Sequence, residues 1–156
     1  MRRKDREMPE EFAWEVADRC PWMVLSMTGP EGQPYCVPLS MAREGRSFYF
    51  HCAREGEKTR CLRANPQVCI SCVASAVPVP EEYSVNYESA VFRGTAREVT
   101  GEPEMLHALR LISRRYVPSN LEGFDREVQR TFAGVAVWRV EVSSAAGKRR
   151  PGPGKK

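Results

Sequence analysis

The sequence predicts a mainly β (α+β) domain, a small closed antiparallel barrel of six strands with helices packed outside it. Short apolar runs broken by Gly- and Pro-rich turns fill the chain up to Val99, and helical spacing is confined to a few stretches. Three early runs follow one another through tight turns, the pattern of an antiparallel meander. The later helical stretches sit together before a last apolar run, so they pack beside the sheet rather than alternate with its strands.

Each element has its own signal. Pro9-Glu10-Glu11 opens a helix, with proline early and acids in the first turn. Phe12, Ala13, Val16, Ala17 and Cys20 form its apolar stripe, and Pro21 stops it. "WMVLSMT" is the first strand and "GPEGQP" its turn. "YCVPLSMA" follows with Tyr35, Val37, Leu39 and Met41 on one face; Pro38 lacks a ladder N–H, which demotes this strand to an edge or a bulge. "REGR" turns into "SFYFHC", and a short basic segment, "EKTRCLRAN", leads to "QVCISCVAS". "YESAVFRGTAREV" is a longer strand in which Gly94 marks a bend or bulge. Helical spacing returns at Met105, Leu106, Leu109, Ile112 and Tyr116, then more weakly from Phe124 to Phe132, before "GVAVWRVEV" closes the fold. Trp14 and Trp22 lie off and at the edge of these stripes, in packing or dimer-contact positions.

The chain has 156 residues and carries a net charge of +4, part of it in "GKRRPGPGKK". Residues 1–146 read as one domain and 147–156 as a disordered basic tail, since such a segment cannot bury enough surface to order itself. A nucleic-acid arm is the competing reading of the tail, but the nearly neutral body gives it no support, and we expect no nucleic-acid partner. The charged start leads into no apolar stretch, and no membrane-length apolar segment follows. A cytoplasmic location without membrane contact is the expectation. The six cysteines should then be reduced. Cys69 and Cys72 form a C-x-x-C inside a strand, where their side chains take opposite faces, and only two histidines exist to help them. No metal site is expected.

The chemistry concentrates where "SFYFHC" runs out. Phe48, Phe50 and Cys52 share one face of that strand, and Tyr49 and His51 share the other. Gly56 then permits a close backbone approach, and a helix starting beyond it presents unpaired N–H donors beside Lys58 and Arg60. Spacing alone leaves two readings open: a phosphate site, or the solvated face of a short helix. His51 is likewise either functional or a strand-end residue bonded to a main-chain carbonyl, and His107 reads as helix surface. Cys52 is either a small buried side chain or a thiol activated by His51 and Lys58.

Five motifs in order point further. They are "RRKDR" at Arg2–Arg6, "GQPYCVPL" at Gly32–Leu39, "YFHCAREGEK" at Tyr49–Lys58, "LRANPQV" at Leu62–Val68 and "GTAREV" at Gly94–Val99. The sequence resembles the FMN-binding split-barrel family that includes pyridoxamine 5'-phosphate oxidase, and within it the nitroimidazole-resistance (Nim) type. The likeness spans nearly all of the chain except the tail. It implies a six-stranded antiparallel split β-barrel and a homodimer with FMN at the subunit interface. By that likeness Val37, Pro38, Leu39 and Ser40 run along the flavin edge, His51 and Cys52 lie beside the ring or ribityl chain, and Glu57 and Lys58 hold the phosphate. Ser89, Trp138 and Arg139 would come from the second subunit. His51 would be the active-site histidine of an FMN-dependent oxidoreductase reducing a small electron-poor substrate such as a 5-nitroimidazole. The alternative is a non-enzymatic flavin, deazaflavin or haem carrier on the same barrel. One departure stands out: many Nim-type relatives have His where this chain has Glu57, and a carboxylate beside a phosphate is unfavourable unless it turns away.

Overall fold

The computed structural model describes residues 2–150. Its strands are β1 (Glu7–Met8), β2 (Met23–Thr28), β3 (Pro34–Leu39), β4 (Ala42–Glu44), β5 (Ser47–Ala53), β6 (Gln67–Val79), β7 (Ser84–Val99) and β8 (Val135–Arg150). The α-helices are α1 (Glu10–Arg19), α2 (Glu57–Ala64), α3 (Glu102–Tyr116) and α4 (Phe124–Thr131). All strands join one antiparallel sheet in the order β3-β2-β6-β7-β8-β5-β4, with β1 added against β8. The six expected strands are all present, but the sheet has eight, and its ladder is not closed by hydrogen bonds.

The expected meander is corrected in the same way. β3 pairs only with β2, and β5 pairs with β4 and β8, so β3 and β5 are not neighbours. β3 and β4 are instead the two ends of the strand order, and only Ser40 and Met41 separate them in sequence. From Leu39 to Ala42 the chain takes three Cα steps and reaches at most about 11 Å. Two edges that close in space, at the ends of a seven-strand path, require the sheet to roll up. The roll is therefore closed by the covalent chain at one corner, not by a ladder. Pro38 agrees with this position, because an edge strand can do without its N–H.

Two cores follow from the roll. Inside it, Met23, Leu25, Phe48, Phe50, Ile70 and Phe92 meet Phe12, Ala13, Val16 and Ala17 of α1. Trp14 packs there too, its ring 4.7 Å from that of Phe92. Outside it, Tyr49, Val99 and Val137 pack under Met105 and Ala108 of α3. Alternation along β5 thus serves both faces, and neither face of this stretch meets water until His51.

Polar contacts fix the corner. Met41 is fully buried, its N–H donates to the Tyr116 hydroxyl at 3.1 Å, and that hydroxyl donates back to the Met41 carbonyl at 3.0 Å. One residue earlier, Arg115 donates to the carbonyls of Ala17 and Cys20, the orphan acceptors at the end of α1. Gly94 lies where the β7–β8 register shifts, and a Cβ there would stand 2.3 Å from the Glu141 carbonyl oxygen. The bulge predicted at Gly94 is a close backbone approach of two strands.

β6 and β7 extend beyond the predicted strands into a hairpin arm that turns through Pro80–Glu82 and Tyr83. Pro78, Pro80 and two acids hid this arm in the sequence, yet Pro78 is tolerated because the arm has only two strands here. The boundary of the tail also moves. Gly147–Arg150 pair with β7, and Gly147 and Lys148 also with β1, so strand pairing orders four residues assigned to the tail; residues 151–156 lie outside the described residues.

Replacing Tyr116 by Phe keeps the ring and strands both main-chain groups of Met41. A loss of about 1–3 kcal/mol in urea unfolding is expected for that variant, the cost of unpartnered buried polar groups.

Candidate functional site

β5 carries its last residues out of the sheet, and their alternation sends them to different places. Cys52 joins Tyr35, Ala53, Glu55, Gly56, Glu57, Lys58 and Thr59 around a cavity of about 220 Å³. His51 lies on the opposite face and lines a separate pocket of about 190 Å³ with residues of α3 and α4. The structure therefore brings Cys52, Glu57 and Lys58 together and places His51 across the wall from them.

The α2 side has the form of an anion cradle. Gly56 adopts φ +139°, a conformation that L side chains rarely take, and turns the chain into α2. No side chain caps this helix, so its first N–H groups lack acceptors. Thr59 is buried and donates its hydroxyl to the Gly56 carbonyl at 2.9 Å, which holds the turn. Asn65 anchors the far end, donating to the carbonyls of Thr28 and Gly29. These bonds explain the Asn in "LRANP".

Charge around the cradle is uneven. Arg60 is paired with Glu57, and Arg63 with Glu98 at 3.1 Å. Lys58 has no carboxylate partner among the described residues; its ammonium lies 5.7 Å from the centre of the Phe50 ring. Lys58 is thus the uncommitted cation of this helix. Glu57 occupies the first turn of α2 and folds back along it toward Arg60 and the Cys61 thiol. The anion at the position of concern is neutralised by its own helix.

His51 and Cys52 both feel this setting. Partial burial against the pocket walls, reinforced by the Lys58 charge, draws the imidazole of His51, which still meets solvent, below its ordinary value of 6.5. Among the described residues its ring has no hydrogen-bond partner, in contrast to His107, which is 3.0 Å from Glu44 on the surface. The carbonyl-bonded reading of His51 is therefore corrected. Burial pushes the Cys52 thiol up, and Lys58 opposes this only in part, so Cys52 stays a thiol rather than an activated thiolate.

The remaining predicted residues scatter. Val37, Pro38 and Leu39 lie on the end strand β3, whose second edge has no ladder partner among the described residues, and Ser40 follows in the corner after it. Ser89 faces outward on β7, six residues and about 20 Å along the strand from Thr95, which lies near α2. Trp138 is 2% exposed and faces the inner core, so its indole is enclosed by its own barrel rather than offered to a second one. Arg139 is committed to Glu104 and Glu141 at 3.5 Å and to the Ser47 hydroxyl at 3.0 Å, beneath α3. Sequence reasoning missed Tyr35 and Thr59, which line the cradle, and the α3–α4 wall facing His51. Tyr35 was legible as the inward residue of an edge strand; the wall was not, because nothing local says where α4 docks. No group of three or more His, Cys, Asp or Glu among the described residues is placed to hold a metal ion. No described helix is long and apolar enough to cross a membrane.

A family model described as pyridoxamine 5'-phosphate oxidase matches residues 9–149. The chain belongs to that family. No protein with a curated description matches it. Among solved structures it is similar to a candidate 5-nitroimidazole antibiotic resistance protein from Bacteroides thetaiotaomicron, at 27% identity and a TM-score of 0.77 over 91% of this chain and 85% of that one. An FAD-binding protein from Mesorhizobium loti shares the fold at 19% identity and a TM-score of 0.68, over 94% and 97% of the two chains. A haem storage protein from Vibrio cholerae does so at 15% identity and 0.63, over 90% and 91%. The pyridoxamine 5'-phosphate oxidase family thus supplies the fold.

In a proton NMR titration of the two histidines, His51 should titrate below 6.5. Lys58→Met should raise that value while leaving it below 6.5, since burial is the larger cause. A depressed imidazole pKa favours the fold above pH 6.5, and that contribution is lost as pH falls through the folded-state value. His51→Gln should therefore lose less stability than the parent between pH 7 and 5. A parent His51 titrating at or above 6.5 contradicts this account.

Proposed function

We propose that the protein is an FMN-dependent oxidoreductase that reduces a small electron-poor substrate such as a 5-nitroimidazole. The cradle at Gly56–Lys58 carries this reading. Its uncapped N–H groups, open glycine and single uncommitted ammonium are the donor set a phosphate needs. The free edge of β3 supplies main-chain donors and acceptors for a ring with a polar rim, and Tyr35 closes the space between strand and cradle. When bound, a flavin supplies the electron-transfer chemistry, with electrons from an external reductant. The chain's own part is to hold the phosphate through Lys58 and α2 and to shield the ring, with a neutral His51 on the far face of β5 as a hydrogen-bonding group.

The reading includes a homodimer. The outer face of β3, β2, β6 and β7 carries Pro38, Val24, Val91 and Val73, with no helix over them. Pro38, Val24, Ser71 and Val91 lie in one cross-strand row. A second copy of the chain is the partner proposed for this face, and two apposed barrels would cover a tricyclic ring that one barrel leaves exposed.

FMN added to the flavin-free protein should raise its melting temperature and quench flavin fluorescence. Lys58→Ala should weaken FMN binding about 10- to 100-fold, the range for a charged hydrogen bond. An unmoved melting temperature, with no flavin in the purified protein, would sink the reading. Turnover of 2-methyl-5-nitroimidazole by dithionite-reduced protein beyond one equivalent separates an enzyme from a carrier. In sedimentation, Val73→Asp with Val91→Asp should turn a dimer into a monomer; a parent that sediments as a monomer with FMN bound removes the interface.

A further inference from the structure

The opening run "RRKDR" and the basic stretch after Gly147 have no part in the cradle, and the fold brings them together. β1 pairs with β8 through Glu7–Lys148 and Met8–Gly147, and β7 pairs with the same end of β8 through Ser89–Lys148 and Tyr87–Arg150. Arg6, just before β1, reaches Tyr87 from one side, and its guanidinium donates to the Tyr87 hydroxyl at 3.5 Å. The Lys148 ammonium lies 5.6 Å from the centre of the same ring. Two cations thus converge on one phenol. Measured along β7, they stand eight residues and about 26 Å from Thr95, which lies near α2.

The carboxylates at this end already have partners. Asp5 is held by Arg3 at 2.5 Å, Glu7 by Lys4 at 3.0 Å, Glu82 by Arg150 at 2.5 Å and Glu88 by Arg19 at 2.7 Å. Arg6 has only a long contact of 3.9 Å to Asp5, and Lys148 pairs with no carboxylate among the described residues. Neither cation is fully solvated. The Arg6 side chain keeps 24% of its exposure against 75% for Lys4, and Tyr87, Ser89 and Lys148 are half-buried. Burial by itself would push the Tyr87 phenol up, yet hydrogen bonds from Arg6 and Lys148, with both charges, draw it below its ordinary value of 10. Two partly desolvated like charges repel, so an anion between them relieves a cost that no described carboxylate meets.

The donors define the guest. The Tyr87 hydroxyl accepts from Arg6 and keeps its own proton to donate, and the Ser89 hydroxyl stands beside Lys148 in the same cross-strand row. A guanidinium and an ammonium without carboxylates suit an oxyanion with two charges. A polyanion would need a long stripe of unmatched cations. Here Arg3, Lys4, Arg19 and Arg150 are paired and Arg149 lies over the Phe12 ring, which leaves only exposed Arg2 beyond the convergent pair.

We propose that Arg6, Tyr87 and Lys148 form a second anion site, which binds a phosphate dianion, either the free ion or the monoester group of a small molecule. The site is independent of the flavin reading, since Lys58 and α2 take no part in it.

The test uses the full chain freed of flavin at pH 7.5. Its probes are phenyl phosphate, inorganic phosphate, and chloride at matched ionic strength. In NMR spectra the Tyr87 ring and the Lys148 side chain should shift with both phosphates and not with chloride, and bound phosphate should raise the Tyr87 pKa back toward 10. Tighter binding of phenyl phosphate assigns the site to an organic monoester, and equal binding to the free ion; both support it. Lys148→Met should weaken both phosphates about tenfold, and Arg6→Lys, which keeps the charge but loses the fork, by less. Tyr87→Phe keeps the ring beneath Lys148 and should cost about three- to fivefold, one hydrogen bond. All three variants should leave FMN affinity unchanged, and Lys58→Ala should leave phosphate binding at Tyr87 unchanged. No Tyr87 shift at millimolar phosphate, or undiminished affinity in Lys148→Met, overturns the proposal. So does a single-stranded oligonucleotide that binds with steep salt dependence while phenyl phosphate leaves Tyr87 unmoved. Failure of FMN to bind overturns the cradle alone, so the two readings fail separately.

Discussion

The structure depends on one short connection. Ser40 and Met41 join strands that stand at opposite ends of the sheet order, and two residues cannot span a flat sheet. The roll, the inner core and the position of β3 as a free edge all follow from that reach. Because the corner is buried, its main-chain groups need partners away from water, and Tyr116 meets both of them. That pair of bonds also fixes the end of α3 against the outer wall. A constraint in the chain thereby decides which face of β5 is covered by a helix.

β5 converts this architecture into a site. Its first residues are buried on both sides, so its geometry is set before the strand emerges. Past Phe50 the covering layers end, and successive side chains reach two different environments one residue apart. Gly56 turns the chain back sharply enough for the start of α2 to face Cys52 and Tyr35. The charges follow the same economy of position. Arg60 and Arg63 are held by Glu57 and Glu98, and only Lys58 keeps an unmatched charge. A cluster that reads as three basic residues in the sequence acts as one.

Much of this was legible in the sequence where the signal was local. The edge position of β3 came from Pro38, the bend or bulge at Gly94 from a glycine inside a strand, and the α2 turn from Gly56 followed by a short basic helical segment. Local signals could not show that β3 and β5 are kept apart, because a tight succession of strands looks like a meander whether or not the third pairs with the second. The arm beyond Ala76 was hidden by prolines that a two-stranded hairpin tolerates and a central strand does not. The surroundings of Trp138 and Arg139 were out of reach of the sequence for a related reason. Alternation gives opposite faces, but which face meets the core depends on the roll, and the roll depends on a contact between residues far apart in sequence.

The same long-range dependence bears on how the two cavities are arranged. Only the backbone of β5 separates the cradle from the α3–α4 pocket, and that backbone is among the most constrained in the molecule, paired with β8 from Ser47 to Ala53. That rigid wall holds the two cavities at a fixed separation and keeps the groups lining one from touching those lining the other. Lys58 already makes itself felt through this wall, since its charge helps keep His51 neutral. A phosphate bound at Lys58 would offset that charge and ease the repulsion on His51. An anion in the cradle would then bias the proton on His51 across the wall.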